Sequence, residues 1–147
     1  MDLSATRITD DGIKELKDFK NITTLNLFRT QITDAAMADL KEMKNLKSLI
    51  IAYTKVTDAG LKELKELNNL NTLDPVGTQV TDAGMAELKA FKKLTLLGLG
   101  DTKVTELAVK DLKELKSLRT LTLPEFRFSH AIIKELQAAF PDCKITY

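Results

Sequence analysis

Several residue types that define common protein classes are scarce in this sequence of 147 residues. It has one cysteine, Cys143, and one histidine, His130, and it has no tryptophan. A single cysteine excludes an internal disulfide framework and a multi-cysteine zinc site. No apolar run approaches the roughly 18 residues that cross a bilayer, so we expect no transmembrane segment.

The two signs of charge are almost balanced, since the chain has 22 basic and 21 acidic residues and its net charge is +1. This balance gives no long-range field towards nucleic acid or an anionic membrane, so we expect no nucleic-acid partner. The start, Met1-Asp2-Leu3-Ser4, has no basic or apolar region of a signal peptide, and the compartment is left open. The hydrophobic content of 44% is ordinary for a globular chain, and we expect one domain over residues 1–147.

A repeat of constant length, about 24 residues, runs through the chain without insertion or deletion. The motif Thr6-Arg7-Ile8-Thr9-Asp10 returns four times, and a last copy has decayed to Phe126-Arg127-Phe128-Ser129-His130. The four intact copies are Thr30-Gln31-Ile32-Thr33-Asp34, Thr54-Lys55-Val56-Thr57-Asp58, Thr78-Gln79-Val80-Thr81-Asp82 and Thr102-Lys103-Val104-Thr105-Glu106. Such periodicity predicts a stacked repeat architecture.

Each period contains two hydrophobic rhythms. Pairs with a spacing of two, such as Leu25 and Leu27, predict a short strand with one face in the core. Triplets at three-residue steps, such as Leu61, Leu64 and Leu67, predict a helix of about three turns. A threonine stands at each expected helix start, where its hydroxyl is suited to capping. These threonines are Thr9, Thr33, Thr57, Thr81 and Thr105.

The segment Ile22-Thr23-Thr24-Leu25-Asn26-Leu27-Phe28-Arg29-Thr30 resembles the leucine-rich-repeat pattern Leu-x-x-Leu-x-Leu-x-x-Asn. The whole chain is similar to the bacterial form of this family, whose repeats have the same length. The resemblance implies an α/β solenoid of about six repeats, with a curved parallel sheet on the concave face and one helix per repeat on the convex face. It also implies a non-enzymatic module for protein–protein interaction, without a cofactor.

Two features depart from the family pattern. Threonine occupies the usual asparagine column at positions 30, 54, 78 and 102, so we expect hydroxyls to bond the backbone at the bend. Asp74-Pro75 stands where an inward leucine is expected. Proline donates no hydrogen bond to a parallel ladder, so we expect the sheet to be loosened there.

Outward-facing strand positions are the candidate partner-binding residues, because they vary without harming the core. An apolar anchor patch in the N-terminal half and an acidic patch at Asp101 and Glu125 are expected, since aromatic and arginine anchors are enriched at binding hot spots. Strand propensity alone is the alternative reason for apolar residues here. The candidates are Asn26, Phe28, Arg29, Ile50, Tyr53, Asp74, Val76, Leu96, Asp101 and Glu125.

No arrangement in the sequence indicates an enzyme or a metal site. There is no nucleophile–base pair, phosphate loop or metal-ligand spacing, and His130 is interpreted as a surface or capping residue. Asp101 and Glu125 alone are a thin ligand set for calcium or magnesium. We therefore expect no catalytic residue and no bound metal.

The ends of the chain suggest an alternative function. Asp2-Leu3-Ser4 matches the end of a strand, so we expect no dedicated N-terminal cap and an open sheet edge. Such an edge predicts either a segment of a longer array or a self-associating structural scaffold, as a monomer or weak homo-oligomer. At the other end, four aromatic residues are expected to seal the last repeat, namely Phe126, Phe128, Phe140 and Tyr147.

Overall fold

The structure is a computed structural model that describes residues 1–147, apart from the side chain of Lys17. Six strands lie side by side in chain order in one sheet, and every neighbouring pair is parallel. Partners in the register lie one repeat apart, as in Leu25 opposite Leu49. The strands are β1 (Thr24–Asn26), β2 (Ser48–Ile50), β3 (Thr72–Asp74), β4 (Leu96–Gly98), β5 (Thr120–Thr122) and β6 (Lys144–Thr146).

The helices are shorter than predicted. Only α6 reaches 10 residues. In four of the other repeats a 3₁₀ segment adjoins the helix, at Glu15–Asp18, Leu64–Glu66, Ala86–Ala90 and Glu106–Ala108. The three-residue step of the buried stripe matches the three residues per turn of a 3₁₀ helix, which explains the difference. The helices are α1 (Asp10–Lys14), α2 (Asp34–Leu40), α3 (Asp58–Glu63), α4 (Asp82–Met85), α5 (Val109–Leu112) and α6 (His130–Ala139).

The core lies between the sheet and the helices. The inward strand residues and the helix stripe form one buried cluster, in which Leu25, Leu49, Leu61 and Leu64 are fully inaccessible. Stacking lets each repeat bury a face that one strand and one helix alone leave exposed. The predicted α/β solenoid is confirmed. Within the described residues, no helix is long and apolar enough to cross a membrane.

A carboxylate ladder, missed in the sequence, joins successive repeats near the helix starts. Asp58 accepts the backbone N–H of Thr81 at 2.8 Å and the hydroxyl of Thr81 at 2.7 Å. The Thr81 hydroxyl in turn accepts the N–H of Ala83 as a helix cap. The ladder consists of Asp10 with Thr33, Asp34 with Thr57, Asp58 with Thr81, Asp82 with Thr105, and Glu106 with Ser129. Four of the five predicted capping threonines therefore cap their helices and also fix each repeat to the one before it. The prediction is wrong for Thr9, whose side chain makes no capping bond.

The threonines of the usual asparagine column bond the backbone at the bend, as predicted. The Thr30 hydroxyl donates to the carbonyl of Leu27 at 2.7 Å, and Thr54, Thr78 and Thr102 repeat this contact. All four side chains are buried. Each bond stays inside its own repeat, so the links between repeats here come from the carboxylate ladder and from backbone hydrogen bonds.

The sheet is loosened at Pro75, as predicted. β3 and β4 pair over two residues, whereas each other pair of strands pairs over three. In the flanking repeats the equivalent N–H donates to the next strand, as from Ile51 to the Asp74 carbonyl and from Leu99 to the Thr122 carbonyl. Proline has no such hydrogen. The defect is local, because the N–H of Gly77 still donates to the Gly100 carbonyl at 2.9 Å.

The prediction that four aromatic residues cover the last repeat is correct for two of them and wrong for the other two. Phe128 and Phe140 are buried, but Phe126 is 95% exposed and Tyr147 is 58% exposed. Phe126 takes a left-handed backbone conformation at φ 59°, which turns its side chain out of the stack. The last repeat is therefore covered by α6 and by two of the four aromatic residues.

Candidate functional site

The third residue after each of four strands has a left-handed backbone conformation, which directs its side chain towards the concave face. Arg29, Tyr53, Gly77 and Asp101 all follow their strands with φ between 52° and 66°. In the last repeat the left-handed residue is Phe126 rather than Glu125. Glu125, which the sequence places in an acidic patch with Asp101, therefore does not share the left-handed conformation of Asp101. Glu125 instead borders a surface cavity of about 370 Å³ together with Phe126 and His130.

Phe28, Arg29 and Tyr53 form an aromatic cluster at the N-terminal half of the face. The rings of Phe28 and Tyr53 meet edge to face, with centroids 5.7 Å apart and planes at 90°. The Arg29 guanidinium carbon lies 5.0 Å from the Phe28 ring centre and 5.4 Å from that of Tyr53. Both distances suit a cation–π contact. The three predicted anchors are thus one preorganised group.

Tyr53 also connects this cluster to the acidic half of the face. Its hydroxyl donates to Asp101 Oδ2 at 2.7 Å, across the intervening repeat. The ring lies over Gly77, where a β-carbon would come within 2.5 Å of Tyr53 Cδ1. Gly77 has φ 66°, a conformation that glycine adopts without strain. The predicted separate apolar and acidic patches are therefore joined through Tyr53.

The pKa values of two groups respond to this arrangement. The hydrogen bond to Asp101 raises the pKa of the Tyr53 phenol, and the negative charge of Asp101 and partial burial add to the effect, while Arg29 opposes it. Burial raises the pKa of Asp74, opposed by the N–H of Val76 that its carboxylate accepts at 3.2 Å. Asn26 accepts the N–H of Phe28 in the same way. Asn26 and Asp74 thus shape the turn after the strand.

The apolar members of the predicted surface are less exposed than expected. Phe28, Ile50, Val76 and Leu96 are all half-buried, and Tyr53 is the large hydrophobic residue of this face that stays exposed, at 42%. Phe28 is covered by Tyr53 and Arg29, which explains its lower exposure. Phe28 and Ile50 are therefore only partly accessible to a partner, and Tyr53 with Arg29 provides most of the accessible surface of this group.

A second exposed surface, which carries cations and amides, was not predicted from the sequence. The basic rim consists of the second residue of each intact motif, which is a cation or an amide: Arg7, Gln31, Lys55, Gln79 and Lys103. All five are exposed, and backbone hydrogen bonds fix four of them to the repeat before, as from the Lys55 N–H to the Ile32 carbonyl at 3.1 Å. The sequence shows this surface only as a recurring cation or amide at the second motif position, which is less conspicuous than the constant threonines of the motif.

Four lysines of the helix face have carboxylate partners in the next repeat. Lys41 pairs with Glu63 at 2.9 Å and Lys89 pairs with Asp111 at 2.8 Å. Two further pairs are Lys44 with Glu66 and Lys113 with Glu135. Among the described side chains, the cations of the basic rim and Arg29 have no carboxylate partner of this kind. In the same part of the chain, no three His, Cys, Asp or Glu residues are grouped so as to hold a metal ion.

The parallel sheet, the buried leucine columns and the repeated bends define a leucine-rich-repeat solenoid. The sequence model described as Leucine Rich repeat matches residues 20–40 and 42–65, which lie in the repeats that carry Phe28 and Tyr53. None of the curated proteins matches the chain.

Solved structures show the same fold. An internalin from Listeria monocytogenes is similar with a TM-score of 0.83 and 21% identity, over 99% of this chain and 39% of the internalin. A second internalin of that species has a TM-score of 0.56 and 21% identity, over 99% of this chain and 80% of its own. A third similar structure is the leucine-rich-repeat ectodomain of the receptor kinase GASSHO1/SCHENGEN3 from Arabidopsis thaliana, solved with CASPARIAN STRIP INTEGRITY FACTOR 2. Its TM-score is 0.61 and its identity 18%, over 88% of this chain and 16% of the ectodomain chain. At these identities the likeness concerns the fold.

Proposed function

We propose that the chain is a non-enzymatic binding module that holds a segment of a protein partner on its concave face. The observation that carries this proposal is the preorganised group of Phe28, Arg29 and Tyr53, with Tyr53 held to Asp101. Tyrosine and arginine are the residues most enriched at binding hot spots, and prior ordering lowers the entropy lost on binding. Asp101 extends the surface with an acceptor for a donor on the partner.

Two further features support this surface over others. Gly100, which follows β4, has no side chain, and its nearest neighbours lie 3.7 Å from where a β-carbon would stand, so a partner backbone can approach the sheet there. The leucine-rich-repeat ectodomain named above was solved in complex with CASPARIAN STRIP INTEGRITY FACTOR 2. A shared fold favours a binding function for this chain as well.

A displayed peptide library tests the proposal. Peptides enriched on the wild-type chain are titrated by calorimetry against the double variant Phe28→Ser and Tyr53→Ser. We expect affinity to fall at least about tenfold, because hot-spot residues each contribute about 1 kcal/mol or more. The matched control is Leu107→Ser, since Leu107 is 81% exposed on the helix side. Equal affinity for the wild type and the double variant rejects the concave site, whatever the control shows.

Self-association through the N-terminal edge is the second candidate. Met1 and Phe19 are exposed and border a surface cavity of about 560 Å³ that Ile22 also lines. An apolar surface beside an open strand favours pairing with another copy. Light scattering over a concentration series measures it. A mass of 16.4 kDa throughout rejects this candidate, whereas a concentration-dependent increase that Phe19→Ser abolishes and Leu107→Ser leaves unchanged supports it.

A further inference from the structure

Within the part of the chain that the structure describes, the cations of the basic rim lack the carboxylate partners that four lysines of the helix face have. On the helix face, four lysines are neutralised by carboxylates of the following repeat at 2.8–2.9 Å. On the rim, Arg7, Lys55 and Lys103 make no such pair among the described side chains. The charge of the rim is therefore available to a partner, although the net charge of the chain is only +1.

The carboxylates nearest in sequence to the rim are already engaged. Asp34 and Asp58 follow Gln31 and Lys55 by three residues, and each is tied to a threonine of the next repeat by two hydrogen bonds of 2.6–2.8 Å. Asp101 accepts the Tyr53 hydroxyl. These bonds orient the three carboxylates towards the protein, so they offset the rim charge only in part.

The rim also has a defined spacing. The N–H groups of Lys55 and Lys103 donate to the repeats before them at 3.1 and 2.9 Å, as do those of Gln31 and Gln79 at 3.1 and 3.0 Å. Cation and amide alternate, so like cations stand two repeats apart. Since parallel strands are about 4.8 Å apart, Arg7, Lys55 and Lys103 are spaced by about 10 Å.

We infer that the rim binds an extended acidic segment of the protein partner, with a carboxylate at every third residue. In a polyproline II conformation every third side chain points the same way, and three residues rise about 9 Å, close to the spacing of the cations. The glutamines between the cations offer donors and acceptors to the backbone of the segment. Arg29 lies next to this path and continues the surface onto the aromatic cluster, and it has no carboxylate partner among the side chains that the structure describes.

A peptide partner fits the rim better than a polyanion does. A nucleic acid or a sulfated polysaccharide carries charge more densely than the cations of the rim are spaced, and its binding relies on many close cations. Here every second position is an amide, and the apolar surface of Tyr53 lies beside the rim. The inference rests on the proposed binding function and adds the chemistry of the partner.

The probe is a labelled peptide of repeated Glu-Pro-Pro triplets, followed by fluorescence anisotropy at low and at high salt. The test variant is Lys55→Gln with Lys103→Gln, which places at these positions the residue that the chain itself has at Gln31 and Gln79. The matched control is Lys62→Gln with Lys110→Gln. Lys62 and Lys110 are exposed on helices of the same two repeats, so both variants lose equal charge at equal spacing.

We expect the rim variant to bind about tenfold more weakly than the wild type, because two exposed ion pairs are lost. The control should keep wild-type affinity, and high salt should remove the difference. A peptide of repeated Gln-Pro-Pro, or one with its glutamates clustered at one end, should bind more weakly. No binding of the Glu-Pro-Pro peptide, equal loss in both variants, or tighter binding of heparin or duplex DNA overturns the inference.

Failure of this inference is distinguishable from failure of the proposed function. Peptides enriched from the library depend on Phe28 and Tyr53 if the concave site is correct, whatever the rim does. If the rim variant binds the acidic peptide as the wild type does, but library peptides still require Tyr53, only the acidic partner is rejected. Loss of the dependence on Tyr53 rejects the concave site itself.

Discussion

The Tyr53 hydroxyl donates a 2.7 Å hydrogen bond to Asp101 although a complete repeat separates the two residues. Neighbouring repeats are about 4.8 Å apart at the sheet, so the backbones of the two residues stand about 10 Å apart. The bond therefore needs a long side chain lying along the stack. Gly77 leaves the space that the ring occupies. The pair therefore joins three repeats on the surface proposed to bind a partner.

The first prediction concerns the ionisation of Tyr53. The chain has 2 tyrosines, so a Tyr147→Phe background leaves the Tyr53 phenol alone in an ultraviolet titration. Its pKa should lie above the ordinary value of about 10, because Asp101 accepts a hydrogen bond from the protonated phenol and repels the phenolate. Asp101→Asn keeps a residue that tolerates the left-handed conformation and should lower this pKa. An identical pKa in both proteins contradicts the hydrogen bond.

This pKa shift also predicts a pH dependence of stability. A pKa that is raised on folding means that the folded state holds the proton more tightly than the unfolded state. The contribution is then fully present below the unfolded pKa near 10 and is lost as the pH rises through the folded value. Thermal melts from neutral to alkaline pH should show a loss of folding stability, and this loss should be smaller in Asp101→Asn than in the wild type.

The second prediction concerns Gly77. Gly77→Ala places a β-carbon against the Tyr53 ring at a φ of 66°, so we expect a loss of about 1–2 kcal/mol and a displaced tyrosine. Gly100→Ala is the matched control, because its β-carbon meets Val76 and Thr122 at ordinary contact distances of 3.7 Å. Urea unfolding measures both variants. Equal stability of the two would show that Tyr53 does not depend on the space at Gly77.

The sequence predicted the fold more fully than the site. Hydrophobic spacing and a constant repeat length specify the strand order and the buried columns, because a solenoid uses only neighbouring contacts. The Tyr53–Asp101 bond joins residues two periods apart through the space left at Gly77, and no local pattern encodes it. The shift from Glu125 to Phe126 likewise depends on the backbone of a repeat whose motif has decayed.

The third prediction concerns the carboxylate ladder. Thr81→Ala removes a helix cap and a hydrogen bond to Asp58, so we expect a loss of about 1–2 kcal/mol. Thr9 occupies the same place in its repeat, but its side chain makes no capping bond. Thr9→Ala should therefore cost less than about 0.5 kcal/mol. Denaturant unfolding compares them, and equal losses would remove the energetic role of the ladder.

The fourth prediction concerns the defect at Pro75. Leu27, Ile51, Leu99 and Leu123 occupy the equivalent position in other repeats, and Pro75 is buried as they are. Pro75→Leu restores a backbone N–H that can donate to the Gly98 carbonyl, so we expect stability to rise by about 1 kcal/mol. The midpoint of urea unfolding should increase with an unchanged slope. A lower midpoint would mean that the surrounding core is shaped to the proline ring and that leucine overpacks it.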